Sequence, residues 1–102
     1  MIPVRYDPAA ELELLSQIQY LESRRGGLGR RFFSEVKESE ALIAEFPESS
    51  VEIRPGVRKR VLPNFRYSLF YSLDAHGATI PAVAHHRRKP GFWMQRVPGE
   101  EQ

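Results

Sequence analysis

The sequence predicts an α+β domain in the order β-α-α-β-β-β, with an N-terminal helical hairpin packed on one face of a small, largely antiparallel sheet. Three observations carry that prediction. Apolar residues recur at helical spacing as far as Pro47, and three turn-bounded apolar runs of strand length come after it. The 102 residues contain no repeat or linker, which suits one core and not two. Residues 1–96 are read as the single domain and 97–102 as a polar tail.

Ile2 and Val4 alternate with Pro3 and Arg5 up to Tyr6, which predicts a short first strand. Asp7-Pro8 is a helix start, with Asp at the N-cap and Pro at the first helical position. Glu11 and Glu13 lie near that positive helix end. Leu14, Ile18 and Leu21 then share one face, so the first helix is expected over about Pro8 to Ser23. Gly26-Gly27-Leu28-Gly29 breaks the pattern. A second helix is expected from Leu28 or Gly29 to Glu45. Its apolar face is Phe32, Phe33, Val36, Ile43 and Phe46; its wet face is Glu35, Lys37, Glu38 and Glu40; Pro47 stops it. A short glycine loop between two amphipathic helices makes an antiparallel hairpin.

Beyond Pro47 the period changes. Val57 to Leu62, Tyr67 to Leu73 and Thr79 to His86 suit strands, with turns at Pro63-Asn64 and at Asp74-Ala75-His76-Gly77. Short connections make them an antiparallel meander. Pro81 cannot donate to a ladder, which points to a sheet edge or a strand start at that position. Strict alternation places Ile80, Ala82, Ala84 and His86 on one face and Pro81, Val83, His85 and Arg87 on the other.

Cysteine is absent, so disulfides and thiolate metal sites are excluded, in agreement with a reducing cytoplasm. No apolar run approaches the roughly 18 residues of a membrane span, and no signal-peptide pattern opens the chain. The net charge is only +2, but it is unevenly spread. Between Arg54 and Arg96 the sole acid is Asp74, among Arg58, Lys59, Arg60, Arg66, Arg87, Arg88 and Lys89. This split predicts one basic surface, on the sheet side left open by the helices, suited to nucleic acid or an acidic protein segment.

An ordered set of residues resembles the RelE/ParE family of toxins from bacterial type II toxin–antitoxin systems. The set is Tyr6 with Ala9, Ala10 and Glu11; Gly27-Leu28-Gly29 with Phe32-Phe33; Phe46-Pro47; Arg58 to Leu62; Phe65-Arg66-Tyr67 with Leu69 and Tyr71; and Ala82-Val83-Ala84-His85-His86-Arg87-Arg88 with Pro90 and Trp93. It spans residues 1–93. The resemblance implies a growth-inhibiting toxin silenced by a cognate antitoxin, in a complex that can be a larger hetero-oligomer, with no cofactor. RelE-like members cleave messenger RNA on the ribosome; ParE-like members poison DNA gyrase and cut nothing. The histidine–arginine ending resembles ParE-like and plasmid-stabilisation toxins, and a +2 balance is light for work against ribosomal phosphate. ParE-like gyrase inhibition is therefore favoured, with a RelE-like endoribonuclease and a non-toxic antitoxin-binding relative as the alternatives.

Metal-free RNA cleavage needs a proton acceptor, charge stabilisation on the phosphorane and a proton donor for the leaving oxygen. Arg58, Arg60 and Arg87 are candidates for the charge, His85 or His86 for proton exchange, and Tyr71 for positioning or donation. His85 is preferred because Arg87 comes two residues later at strand spacing, with His86 expected under the helices. Without RNA, the same arginines form a solvated strand face, the histidines are structural and the tyrosines are core. For a target or antitoxin the expected contacts are Arg58, Arg60, Arg87, Arg88 and Trp93. Trp93 either covers the sheet edge or the helical hairpin after a turn at Pro90-Gly91, or stacks on a base. Adjacent histidines without Cys or nearby acids make a poor metal site.

Overall fold

Asp7 starts the first helix as its composition requires: its carboxylate accepts the Ala9 N–H at 2.9 Å, with Pro8 at the first helical position. The computed structural model describes residues 1–97. Its elements are β1 (Val4–Tyr6), α1 (Pro8–Arg24), α2 (Leu28–Glu45), β2 (Val51–Arg54), β3 (Val57–Val61), β4 (Tyr67–Asp74) and β5 (Gly77–His85), with a single 3-10 turn at Met94–Arg96 after them. One five-stranded sheet runs in the order β1-β5-β4-β3-β2. β1 pairs with β5 in parallel, and every other pair is antiparallel. The α+β architecture and helical hairpin agree with the sequence, with one strand more than expected.

That strand is β2. Val51 and Ile53 are exposed, and Pro55-Gly56 comes directly after, so nothing in the local pattern announces burial. The hairpin exists because Gly56 turns at φ 81° while the Glu52 carboxylate accepts its N–H at 2.8 Å.

The helices meet where Gly29 lies against α1. A Cβ there would come within 2.4 Å of the Ile18 carbonyl oxygen, so only glycine permits this spacing. Gly27 supplies no side-chain cap to α2; the Glu22 carboxylate does so instead, accepting from the N–H groups of Gly27 at 2.8 Å and Gly29 at 2.9 Å. Between helices and sheet, Phe32 meets Tyr67 and Phe65 at ring separations of 4.8 and 5.2 Å, with Val36, Ile43, Leu69, Tyr71, Ile80 and Val83 around them.

Several assignments on α2 change. Phe33, expected in the core, is 41% exposed because its neighbour Phe32 takes the inward direction and consecutive helical residues diverge. Phe46 is exposed as well. Glu35, expected on the wet face, is buried and accepts from the backbone and side-chain amides of Asn64, at 3.0 and 2.8 Å. It thereby ties α2 to the β3–β4 turn.

Pro81 lies neither at a sheet edge nor at a strand start. It sits inside β5, where the register against β4 slips: Phe70 pairs with Ala82, but Ser72 pairs with Thr79. Ile80 and Pro81 therefore stand opposite Tyr71 alone. This is a β-bulge, the one place in a central strand where a missing N–H is cheap. The bulge reverses the phase of the remainder of β5. Ala78, Ile80 and Val83 face the helices, whereas Ala82 joins Val57, Trp93 and Val97 on the far face.

The far face is not open throughout. The chain after β5 folds back across it, and Trp93, 3% exposed, packs its indole 4.8 Å from the Phe70 ring. Trp93 thus covers neither the sheet edge nor the helical hairpin. Arg96 fastens the segment, donating to the Pro81 carbonyl at 3.0 Å and pairing with Glu13 of α1 at 3.0 Å. Val97, expected in the tail, is buried in this second cluster; the rest of the expected tail, residues 98–102, lies outside the described residues.

Candidate functional site

The C-terminal end of β5 carries the histidine–arginine run, and the bulge decides where each side chain goes. His85 has the phase of Val83, on the helix side, and stands edge-on to the Tyr67 ring at 5.0 Å. His86 is on the far face, exposed, with Nε2 3.0 Å from the Ser68 hydroxyl. The expectation that His86 lies beneath the helices is therefore reversed. Strict alternation counted Pro81 as an ordinary strand position, and a two-for-one bulge shifts everything after it by one.

His85 and Arg87 do come together. With Ser16, Gln17 and Tyr20 of α1, Tyr67 and Arg88, they line a shallow recess of about 490 Å³ on the helix side. The His85 Nδ1 accepts the Arg87 N–H at 3.0 Å, which leaves the proton of the neutral ring on Nε2. Burial lowers the His85 pKa from its ordinary value, and the nearby Arg87, His86 and Arg66 push the same way. The ring is neutral at physiological pH. The Tyr67 hydroxyl donates to Gln17, and burial raises its pKa.

The remaining candidates are elsewhere. Tyr71 is fully buried, and its hydroxyl donates to the Pro47 carbonyl at 2.7 Å, so it is a core residue that reaches no recess. Arg58 opposes Tyr71, and Arg60 opposes Leu69, which puts both on the helix-bearing side. Arg58 is held there by the carbonyls of Glu48 at 3.1 Å and Ser50 at 2.7 Å. The expected gathering of cations on the uncovered face is therefore corrected: Arg58, Arg60 and Arg87 share the helix side, whereas Lys59 and the Arg88-Lys89 pair border the far face. Strand alternation separates Lys59 from Arg58 and Arg60, and composition cannot register that.

A second, deeper recess opens on the far face, a cavity of about 300 Å³ between β3–β4 and the returning segment. Ser68, Phe70, Phe92 and Trp93 make its walls, and Lys59, His86, Arg88 and Lys89 edge it. Trp93 offers no free ring face to a base. One face of the Phe92 ring carries the Arg88 guanidinium, 3.7 Å from its centroid. Ile53 at the mouth comes from β2, so no reading without that strand could assemble this recess. Among the described residues no group of His, Asp and Glu side chains could hold a metal ion, and no helix is long and apolar enough to cross a membrane.

No family model matches the chain, and no curated protein matches it. A solved structure does. It is a chain of "Chromosomal ParDE TA system from P. aeruginosa", superposed with a TM-score of 0.72 over 83% of this chain and 96% of that one. The two share one fold. Their sequences are 13% identical, so the ParDE chain establishes the architecture and leaves the chemistry of the two recesses to their own geometry.

Proposed function

We propose that the chain is the toxin component of a type II toxin–antitoxin system. A cognate antitoxin neutralises it in the cytoplasm, and it acts in the ParE manner by docking on DNA gyrase. The observation that carries the reading is the fold shared with the ParDE chain across nearly all of that chain. The gyrase target is supported by the scatter of the groups that RNA cleavage would need. Tyr71 lies inside the core, Arg58 is bound to carbonyls, and His86 is engaged with the Ser68 hydroxyl outside the recess that holds His85 and Arg87. Docking on a protein requires no proton relay. On this reading the recess of His85, Arg87 and Arg88 is a contact surface for the target.

Expression from a tightly controlled promoter tests the proposal. The expected outcome is growth arrest with a DNA-damage response, and inhibition of gyrase supercoiling by the purified protein. Ribosome-dependent mRNA cleavage with gyrase untouched overturns the target. One observation favours that RelE-like alternative: His85, Arg87 and Tyr67 share a single recess. Growth that continues unarrested supports the non-toxic antitoxin-binding relative.

A further inference from the structure

We propose that the far-face cavity is an anchor pocket for an acidic segment of the antitoxin. It receives one bulky apolar side chain, and Val51, Ile53 and Val61 beside it receive the next apolar residues of the same segment. The identity of the partner rests on the function proposed above; the site and the chemistry it selects do not.

The size is the first argument. About 300 Å³ is at the small end of ligand pockets and suits one large side chain. The walls are the second. Phe70, Phe92 and Trp93 are apolar; Trp93 is buried against Phe70, and Arg88 lies over one face of Phe92. The surroundings are the third. Val51, Ile53 and Val61 are 71%, 42% and 54% exposed, and the pairings Val51–Lys59 and Val61–Ser68 place the β2 and β3 ends of this stripe on the cavity's face. Ile53 belongs to both stripe and cavity mouth.

Charge names the occupant. Lys59, Arg88 and Lys89 edge the cavity, and among the described residues no Asp or Glu lines it. Glu52, the nearest acid in sequence on β2, pairs with Arg58 and so shares the opposite face. A second copy seated here would bring two cationic rims together. An amphipathic segment with carboxylates around an apolar anchor satisfies both rim and stripe.

The probe is a short fluorescein-labelled peptide of glutamates around one central tryptophan and two leucines, its binding measured by fluorescence anisotropy. It is expected to bind the wild-type chain. Replacing the peptide's tryptophan by alanine is expected to weaken binding roughly thirtyfold, the loss of a buried anchor. Lys59→Glu, and separately Arg88→Glu with Lys89→Glu, are expected to weaken it about tenfold and to flatten its salt dependence. Arg5→Glu makes the same charge change on β1 at the other end of the sheet and is expected to leave binding unchanged. Circular dichroism of each variant separates lost binding from lost folding. The proposal is overturned by absent binding, by equal affinity for the alanine peptide, by equal loss in Arg5→Glu, or by a labelled single-stranded oligonucleotide or a self-dimer occupying the face instead. Growth arrest without peptide binding removes this inference and leaves the function; pocket-dependent binding without arrest does the reverse.

Discussion

His85 owes its behaviour to position more than to residue type. Its Nδ1 is occupied by the Arg87 N–H, and burial and then Arg87, His86 and Arg66 nearby disfavour a second proton. The folded pKa is depressed, so the unfolded chain takes the proton first as pH falls. Stability is full above the unfolded value of about 6.5 and declines as pH falls through the depressed folded value. An NMR titration is expected to show His85 titrating below that ordinary value, and His85→Gln to flatten the acid side of the stability curve in this window. His85 is only partly buried, so the slope is shallow. Glu22 has the same sign at lower pH: the Gly27 and Gly29 N–H groups hold its carboxyl below the usual carboxylate range, so acidification weakens the start of α2. At Gly29 the constraint is steric. Gly29→Ala sets a methyl 2.4 Å from the Ile18 carbonyl and is expected to lower the thermal midpoint by forcing the helices apart.

At the scale of elements, the segment after β5 is what separates a bare sheet face from a pocketed one. Trp93 seals it against Phe70, and Arg96 ties it to α1 and β5. Trp93→Ala is expected to cost about 3–5 kcal/mol in chemical denaturation, as large aromatic truncations in a core do, and to expose residues 87–97 to proteolysis. The helices were legible because Asp7-Pro8, the glycine loop and Pro47 bound two clear 3.6-residue patterns. β4 was legible because Tyr67, Leu69 and Tyr71 alternate cleanly. β2 was not, since Val51 and Ile53 have no buried partner to impose a pattern, and the strand exists through its pairing with β3. The site suffered most from Pro81. Its missing donor was visible, but whether a proline marks an edge or a bulge depends on the facing strand, where Tyr71 alone spans two residues. That ambiguity alone moved both histidines to the wrong faces.

For the whole molecule, the basic half of the sequence becomes two cationic surfaces back to back. One, with Arg87 and His85, borders α1; the other, with Lys59 and Lys89, borders the aromatic cavity. On the function proposed above, target and antitoxin meet different surfaces of one small domain, with His85 and Arg88 lining both recesses. Arg88→Ala is expected to weaken antitoxin capture and toxicity together, whereas Lys59→Ala weakens capture alone; co-expression growth assays with and without antitoxin separate the two. The order of synthesis adds a constraint of its own. Val4 at the start of the chain finds its only sheet neighbour at Ala78, so the first strand waits, unpaired, until the last one has been translated. Until then the sheet lacks the strand that joins β1 to β4, and the helix pair has no complete face to close on.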